Sequence, residues 1–194
     1  MNKVPKPSPK QVSKCLQKWD SSESYVLQES SLRKLFTQTY PHNVEMDEVL
    51  IKVYSLNDFY STNIFSPFPV AKHIVDLGID QRLSNRDFTL VNDIAVVKVN
   101  GQKTRTFYSF ATKYCSHHLP EHYPMYDYYV EKMLKHFRRV DGFSEFENAH
   151  LKDYPSYCEV LMQFSKFYGL EAFTVKQIDK YLWWSGKNYF PKNY

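Results

Sequence analysis

Residues 103–139 gather most of the side chains that could do chemistry in this chain: Lys103, Lys113, His117, His118, His122 and Asp127, followed by Lys132, Lys135, His136, Arg138 and Arg139. Asp127 heads a helical pattern just after a loop bracketed by Pro120 and Pro124. A carboxylate there faces unpaired N–H groups and the positive end of the helix dipole, so an N-terminal cap is the first use the position suggests. The histidines form HHxxxH across the proline loop with no acid in clear ligand geometry beside them, and no metal site is expected. The cations from Lys132 to Arg139 are either a solvated helix face or a set of phosphate contacts, which would reveal themselves through salt-sensitive binding. Tyr181, Trp183, Trp184 and Tyr189 have the residue types of a base-stacking platform, although packing is the commoner use of such side chains.

These groups need a scaffold, and its outline follows from composition and periodicity. The chain has 194 residues, of which 43% are hydrophobic and 24% charged, enough for one compact unit with a sizeable core. Only 5 glycines stand against 16 tyrosines and 14 phenylalanines, which suits helices better than a sheet rich in tight turns. A net charge of +4 permits a nucleic-acid partner without demanding one. No apolar run of membrane-spanning length and no secretory leader are read, so neither a membrane span nor export is expected. Cys15, Cys115 and Cys158 are scattered, which argues for a reducing cytoplasm and against both a disulfide framework and an iron–sulfur cluster. Lys3, Lys6, Lys10, Lys14 and Lys18 occur with no acid among residues 1–18, and residues 1–10 are expected to be a basic arm.

Apolar spacing predicts helices over 11–19, 25–36, 46–54, 67–77, 87–96, 104–118, 126–138 and 153–168, and a last one capped by Thr174. Residues 55–65 are expected to be a loop and 80–83 a short turn. The 104–118 stripe is Phe107, Phe110, Ala111 and Tyr114, and the stripe that follows Asp127 is Tyr129, Val130, Met133, Leu134 and Phe137. VKVNGQK is open to a second reading, a β-hairpin, because valines alternate around an Asn-Gly pair.

GQKT at the head of one helix, a proline-bearing loop, and PMYD at the head of the next resemble the helix-hairpin-helix DNA glycosylase superfamily, in particular its 8-oxoguanine DNA glycosylase fold branch. FYSFATKYCSHH and HYPMYDYYV are similar to small bacterial proteins of that fold. The resemblance implies an all-α, two-lobed multi-helix bundle that binds DNA and excises a damaged or modified base. In that setting Asp127 would stabilise a cationic sugar or deprotonate the nucleophile. Lys103 is the positional match for a Schiff-base amine, with Lys113 its rival. Lys98, Asn100, Gly101, Arg105, Lys132, Lys135, Arg138 and Arg139 would contact DNA, and Asn57, Asp58, Tyr60 and Tyr126 would lie near the flipped base. The chain departs from the family hairpin at Val99, where a glycine is usual, and at Lys98, where the loop has proline. No cofactor or metal is implied, and a cytoplasmic monomer is expected. Two other readings stand beside this one: an inactive DNA-binding or protein-interaction module of the same fold, and a nucleotide- or small-molecule-binding helical protein.

Overall fold

A computed structural model of the chain describes residues 4–99 and 103–191. Among them are ten α-helices and one two-stranded antiparallel hairpin: α1 Pro9–Asp20, α2 Glu23–Lys34, α3 Met46–Tyr60, α4 Pro67–Leu77, α5 Asp80–Ser84, α6 Thr89–Ala95, β1 Val96–Val99, β2 Lys103–Thr106, α7 Tyr108–His118, α8 Tyr128–Asp141, α9 Tyr154–Phe167 and α10 Val175–Tyr189. The protein is predominantly helical. None of the described helices is long and apolar enough to cross a membrane. The chain divides into two compact units, one from the described parts of 1–26 and 126–194, the other from 27–125.

In the 27–125 unit, α3 packs on α4, α6 on α7, and β1 on α4. Val49, Val53 and Leu56 of α3 meet a core that includes Val70 and Ile74 of α4 and Ile94 of α6, all fully buried. α4 starts with Pro67, which lacks only a donor the helix start would leave unpaired, and ends at Gly78, whose φ of +57° closes the helix in the left-handed region. The hairpin pairs Val96 with Thr106 and Val99 with Lys103. Of its described residues only Val97 is buried.

The other unit is built on α10, which packs against α8 and α1. Thr174 and Gln177 form a reciprocal capping box at the start of α10. Gly186 lies flat against α8: a Cβ there would come within 2.6 Å of the Tyr129 carbonyl oxygen, so glycine sets how closely the two helices approach. Ser8 caps α1, its hydroxyl accepting from the Gln11 N–H at 3.3 Å. Of the basic arm expected over residues 1–10, residues 4–8 lead into α1 and Pro9 and Lys10 open it, and Pro7 is buried. Lys10, Lys14 and Lys18 follow one another at helical spacing along α1.

The turn expected over 80–83 is the short helix α5, and other elements differ from the sequence reading for local reasons. The helix expected over 104–118 begins only at Tyr108, because residues 103–106 pair with β1 and the Phe107 N–H bonds to the Ala95 carbonyl at 2.8 Å, closing the base of the hairpin. The hairpin alternative is the one the fold adopts, so the helix head expected at Lys103 is a strand. Asn100 and Gly101 lie outside the described residues. The helix expected to stop at Tyr54 runs to Tyr60, since Leu56 continues the buried stripe and Ser61, with φ of +47°, ends it. Asn57, Asp58 and Tyr60 therefore sit on a helix rather than in a loop.

Candidate functional site

α7 carries two ladders of polar side chains at i, i+4 spacing, and each is buried against a different set of neighbours. The first is Ser109, Lys113 and His117. Lys113 is 3% exposed, and its ammonium donates to the Ser109 hydroxyl at 2.6 Å. The same Nζ lies 5.3 Å from the centre of the Tyr60 ring, close enough for a cation–π contact. The Tyr60 hydroxyl is 3.0 Å from His117 Nε2, and the His117 ring leans on Phe36 at 5.4 Å. One amine, two hydroxyls and one imidazole thus meet at the end of α3 and along α7. Placing them there takes only the helical repeat of α7 and the extension of α3 to Tyr60.

The second ladder is Tyr114 and His118, and it closes a network around Asn43. Asn43 Oδ1 accepts from Lys52 Nζ at 2.7 Å, from the Tyr114 hydroxyl at 2.6 Å and from His118 Nε2 at 3.2 Å. Its Nδ2 donates to Asp80 Oδ1 at 2.6 Å and its backbone N–H to Asp80 Oδ2 at 3.0 Å. Lys52, fully buried, also donates to the carbonyls of Tyr40 and His42. Burial pushes the Lys52 amine down to about 8, with Asp80 and Glu48 opposing the shift. Burial pushes the His118 imidazole down to about 3, assisted by the charge of Lys52. His118 is therefore neutral and donates through Nε2. This arrangement satisfies a buried cation and a carboxylate through a shared amide, and its parts are those of a core network. Sequence reasoning missed it. The one available signal was Lys52 on the stripe of Val49, Val53 and Leu56, where an apolar residue belongs.

The other sequence candidates are dispersed. Lys98, Lys103 and Arg105 are exposed on the hairpin, with Lys103 and Arg105 on one face of β2 and Lys98 opposite Thr104 on the other. Asp127 is the N-cap of α8, its Oδ1 accepting from the Tyr129 N–H at 2.9 Å. Tyr126 is buried, its hydroxyl accepts from Lys152, and the Lys152 ammonium lies 4.0 Å from its ring centre. Asn57 is engaged by the loop that follows it. Its amide takes Thr62 and the Ile64 N–H and donates to the Ile64 carbonyl, fixing a loop that presents Phe65 at 95% exposure. Asp58 is exposed. On α8, Lys135 pairs with Glu131 and Arg138 with the Phe146 carbonyl, leaving Lys132, over the Tyr128 ring, and Arg139 as the outward cations. Among the described residues no group of His, Cys, Asp or Glu is arranged to hold a metal.

A family model, HI_0787_N, described as an N-terminal domain, matches residues 11–122. An uncharacterized protein of Haemophilus influenzae is 45% identical over 149 residues, which cover 76% of this chain and 71% of that protein. No solved structure matches the chain significantly. The matched segment contains both α7 ladders and the partners named above, and it ends before Asp127.

Proposed function

The chain belongs to the HI_0787_N family, and from the chemistry of the first α7 ladder we propose that it is a DNA-binding protein of the helix-hairpin-helix glycosylase type that excises a base through the Lys113 amine. The observation that carries this reading is Lys113 itself: a buried primary amine held at 2.6 Å from a hydroxyl and over a phenol ring whose own hydroxyl meets an imidazole. Such surroundings fix an amine's direction and exclude water, the conditions a carbonyl- or sugar-directed amine nucleophile needs. The amine attacks C1′ of the extruded nucleotide, the N-glycosidic bond breaks, and the base leaves with the bonding pair and takes up a proton. The attacking nitrogen loses a proton to a base, the C1′–O4′ bond breaks with its pair going to O4′, which takes up a proton, and the iminium so formed at C1′ loses a C2′ proton as the 3′ phosphate departs with its bonding pair. Tyr60 and His117 supply a hydroxyl–imidazole pair able to relay a proton. The geometry favours Lys113 over Lys103, which is solvated at the start of a strand. Asp127 keeps the carboxylate role by resemblance alone.

Borohydride reduction during incubation with duplexes carrying an abasic site or an oxidised or alkylated base tests the proposal. A covalent protein–DNA product that disappears in Lys113→Gln and survives in Lys103→Ala supports it. Trapping that survives Lys113→Gln, in a variant whose circular dichroism is unchanged, overturns it.

A second reading rests on the Asp127 hydrogen bond to Tyr129, which an ordinary helix cap would also make. It takes the chain as a binding module without chemistry. DNA affinity that falls with salt, with no trapped product on any lesion, would favour it.

A further inference from the structure

In the unit that contains α1 and α10, a cavity of about 110 Å³ opens between these helices. Its wall carries two cations, Lys14 and Lys18, with the amides of Gln11 and Asn188, the Ser185 hydroxyl and the Trp184 ring, and none of its lining residues is acidic. Neither ammonium has an ion pair or hydrogen bond among the described residues, whereas Lys180 and Lys187 of α10 lie 5.0 Å and 4.9 Å from the ring centres of Trp19 and Trp183. Two exposed cations one turn apart therefore converge on a polar hollow with no counter-charge. A water molecule occupies about 30 Å³ of liquid, so the hollow holds roughly four waters or one tetrahedral oxyanion. Cys15 also lines it, but burial pushes its thiol up to about 12, so it offers no thiolate to a soft metal or an electrophile.

We propose that this cavity is a phosphate site for nucleotides: the phosphate sits between Lys14 and Lys18, hydrogen-bonded by the amides and Ser185, and the base stacks on Trp184. Lysine ammonium groups bind phosphate as point charges, and amide and hydroxyl donors satisfy the remaining oxygens. An indole face accepts any base, so the recognised feature is the phosphate and not the sequence. The site does not depend on the excision chemistry, since none of its residues belongs to the Lys113 ladder.

Titration of tryptophan fluorescence, with calorimetry beside it, tests this using thymidine, inorganic phosphate, thymidine 5′-monophosphate and an unphosphorylated thymidine octamer. Binding of the monophosphate or the octamer is expected, with thymidine at least tenfold weaker. The Lys14→Gln/Lys18→Gln double variant should lose tenfold or more while melting like the parent, because both side chains are exposed. Binding of inorganic phosphate and the monophosphate identifies a free phosphate ester as the ligand, and binding of the octamer alone identifies a strand phosphodiester. Lys113→Gln should leave these affinities unchanged. Equal binding of thymidine and its monophosphate, undiminished binding by the double variant, or no binding of any phosphate-bearing probe would overturn the proposal.

Discussion

Asn43 Oδ1 receives three donors, and the same side chain's Nδ2 meets a carboxylate. Its orientation is thereby fixed on both sides, and its removal would take an acceptor from the buried Lys52 ammonium and Tyr114 hydroxyl and a donor from the half-buried Asp80 carboxylate. Asn43→Ala should cost about 1–3 kcal/mol, the range for leaving buried hydrogen-bonding groups short of a partner, read as a lower denaturant midpoint with an unchanged slope. His118 in the same network gives a pH signature. The unfolded chain takes up a proton near the ordinary histidine value of 6.5, but the folded chain does so only near 3. Stability from this group is fully present above pH 6.5 and declines as pH falls toward 3, because only the unfolded state gains the proton. Melting temperatures measured at pH 7, 5.5 and 4.5 should fall more steeply in the wild type than in His118→Gln. Little of this was legible beforehand. A lysine in an apolar stripe ordinarily snorkels to the surface, and only the fold brings Asn43 to Asp80, 37 positions along the chain. Lys113 was readable as a candidate, and what the sequence lacked was the length of α3, which delivers Tyr60 to it.

Elements were easier to read where a cap and a stripe agreed. α4, α9 and α10 have proline or threonine at the start and buried residues at helical spacing, and they lie close to where periodicity put them. The hairpin was harder, because the Phe110, Ala111 and Tyr114 stripe extends backwards to Phe107 in sequence although Phe107 is the first residue outside α7. Alternating valines outweighed that stripe once β2 had a partner to pair with. At the start of α8, the double identity of Asp127 can be separated by substitution. Asparagine caps a helix about as well as aspartate, whereas alanine costs about 1 kcal/mol. Asp127→Asn should therefore melt like the wild type and Asp127→Ala should not. Loss of base release in Asp127→Asn, measured by chromatography of the freed base, would then report on the carboxylate's charge and not on the fold.

At the scale of the whole molecule, the mild positive charge is not spread evenly. The hairpin exposes Lys98, Lys103 and Arg105, while Lys135 and Arg138 of α8 are engaged within the protein. If the chain binds duplex DNA, each phosphate contacted by a lysine or arginine contributes about 0.9 to the log–log salt slope. The triple variant Lys98→Gln/Lys103→Gln/Arg105→Gln is expected to reduce that slope by about 2–3 units and to leave Lys113 trapping intact at low salt. Fluorescence anisotropy of a labelled duplex between 50 and 200 mM salt, roughly the range over which such contacts are lost, measures it. The helical content fits the expected architecture only at its coarse level, and the central claim is chemical. The most direct measurement is therefore the location of the adduct: borohydride-trapped protein, digested and sequenced by mass spectrometry. The account predicts a reduced sugar remnant on Lys113. A remnant on Lys103 or on any other amine, or no covalent product with any lesion, would contradict it.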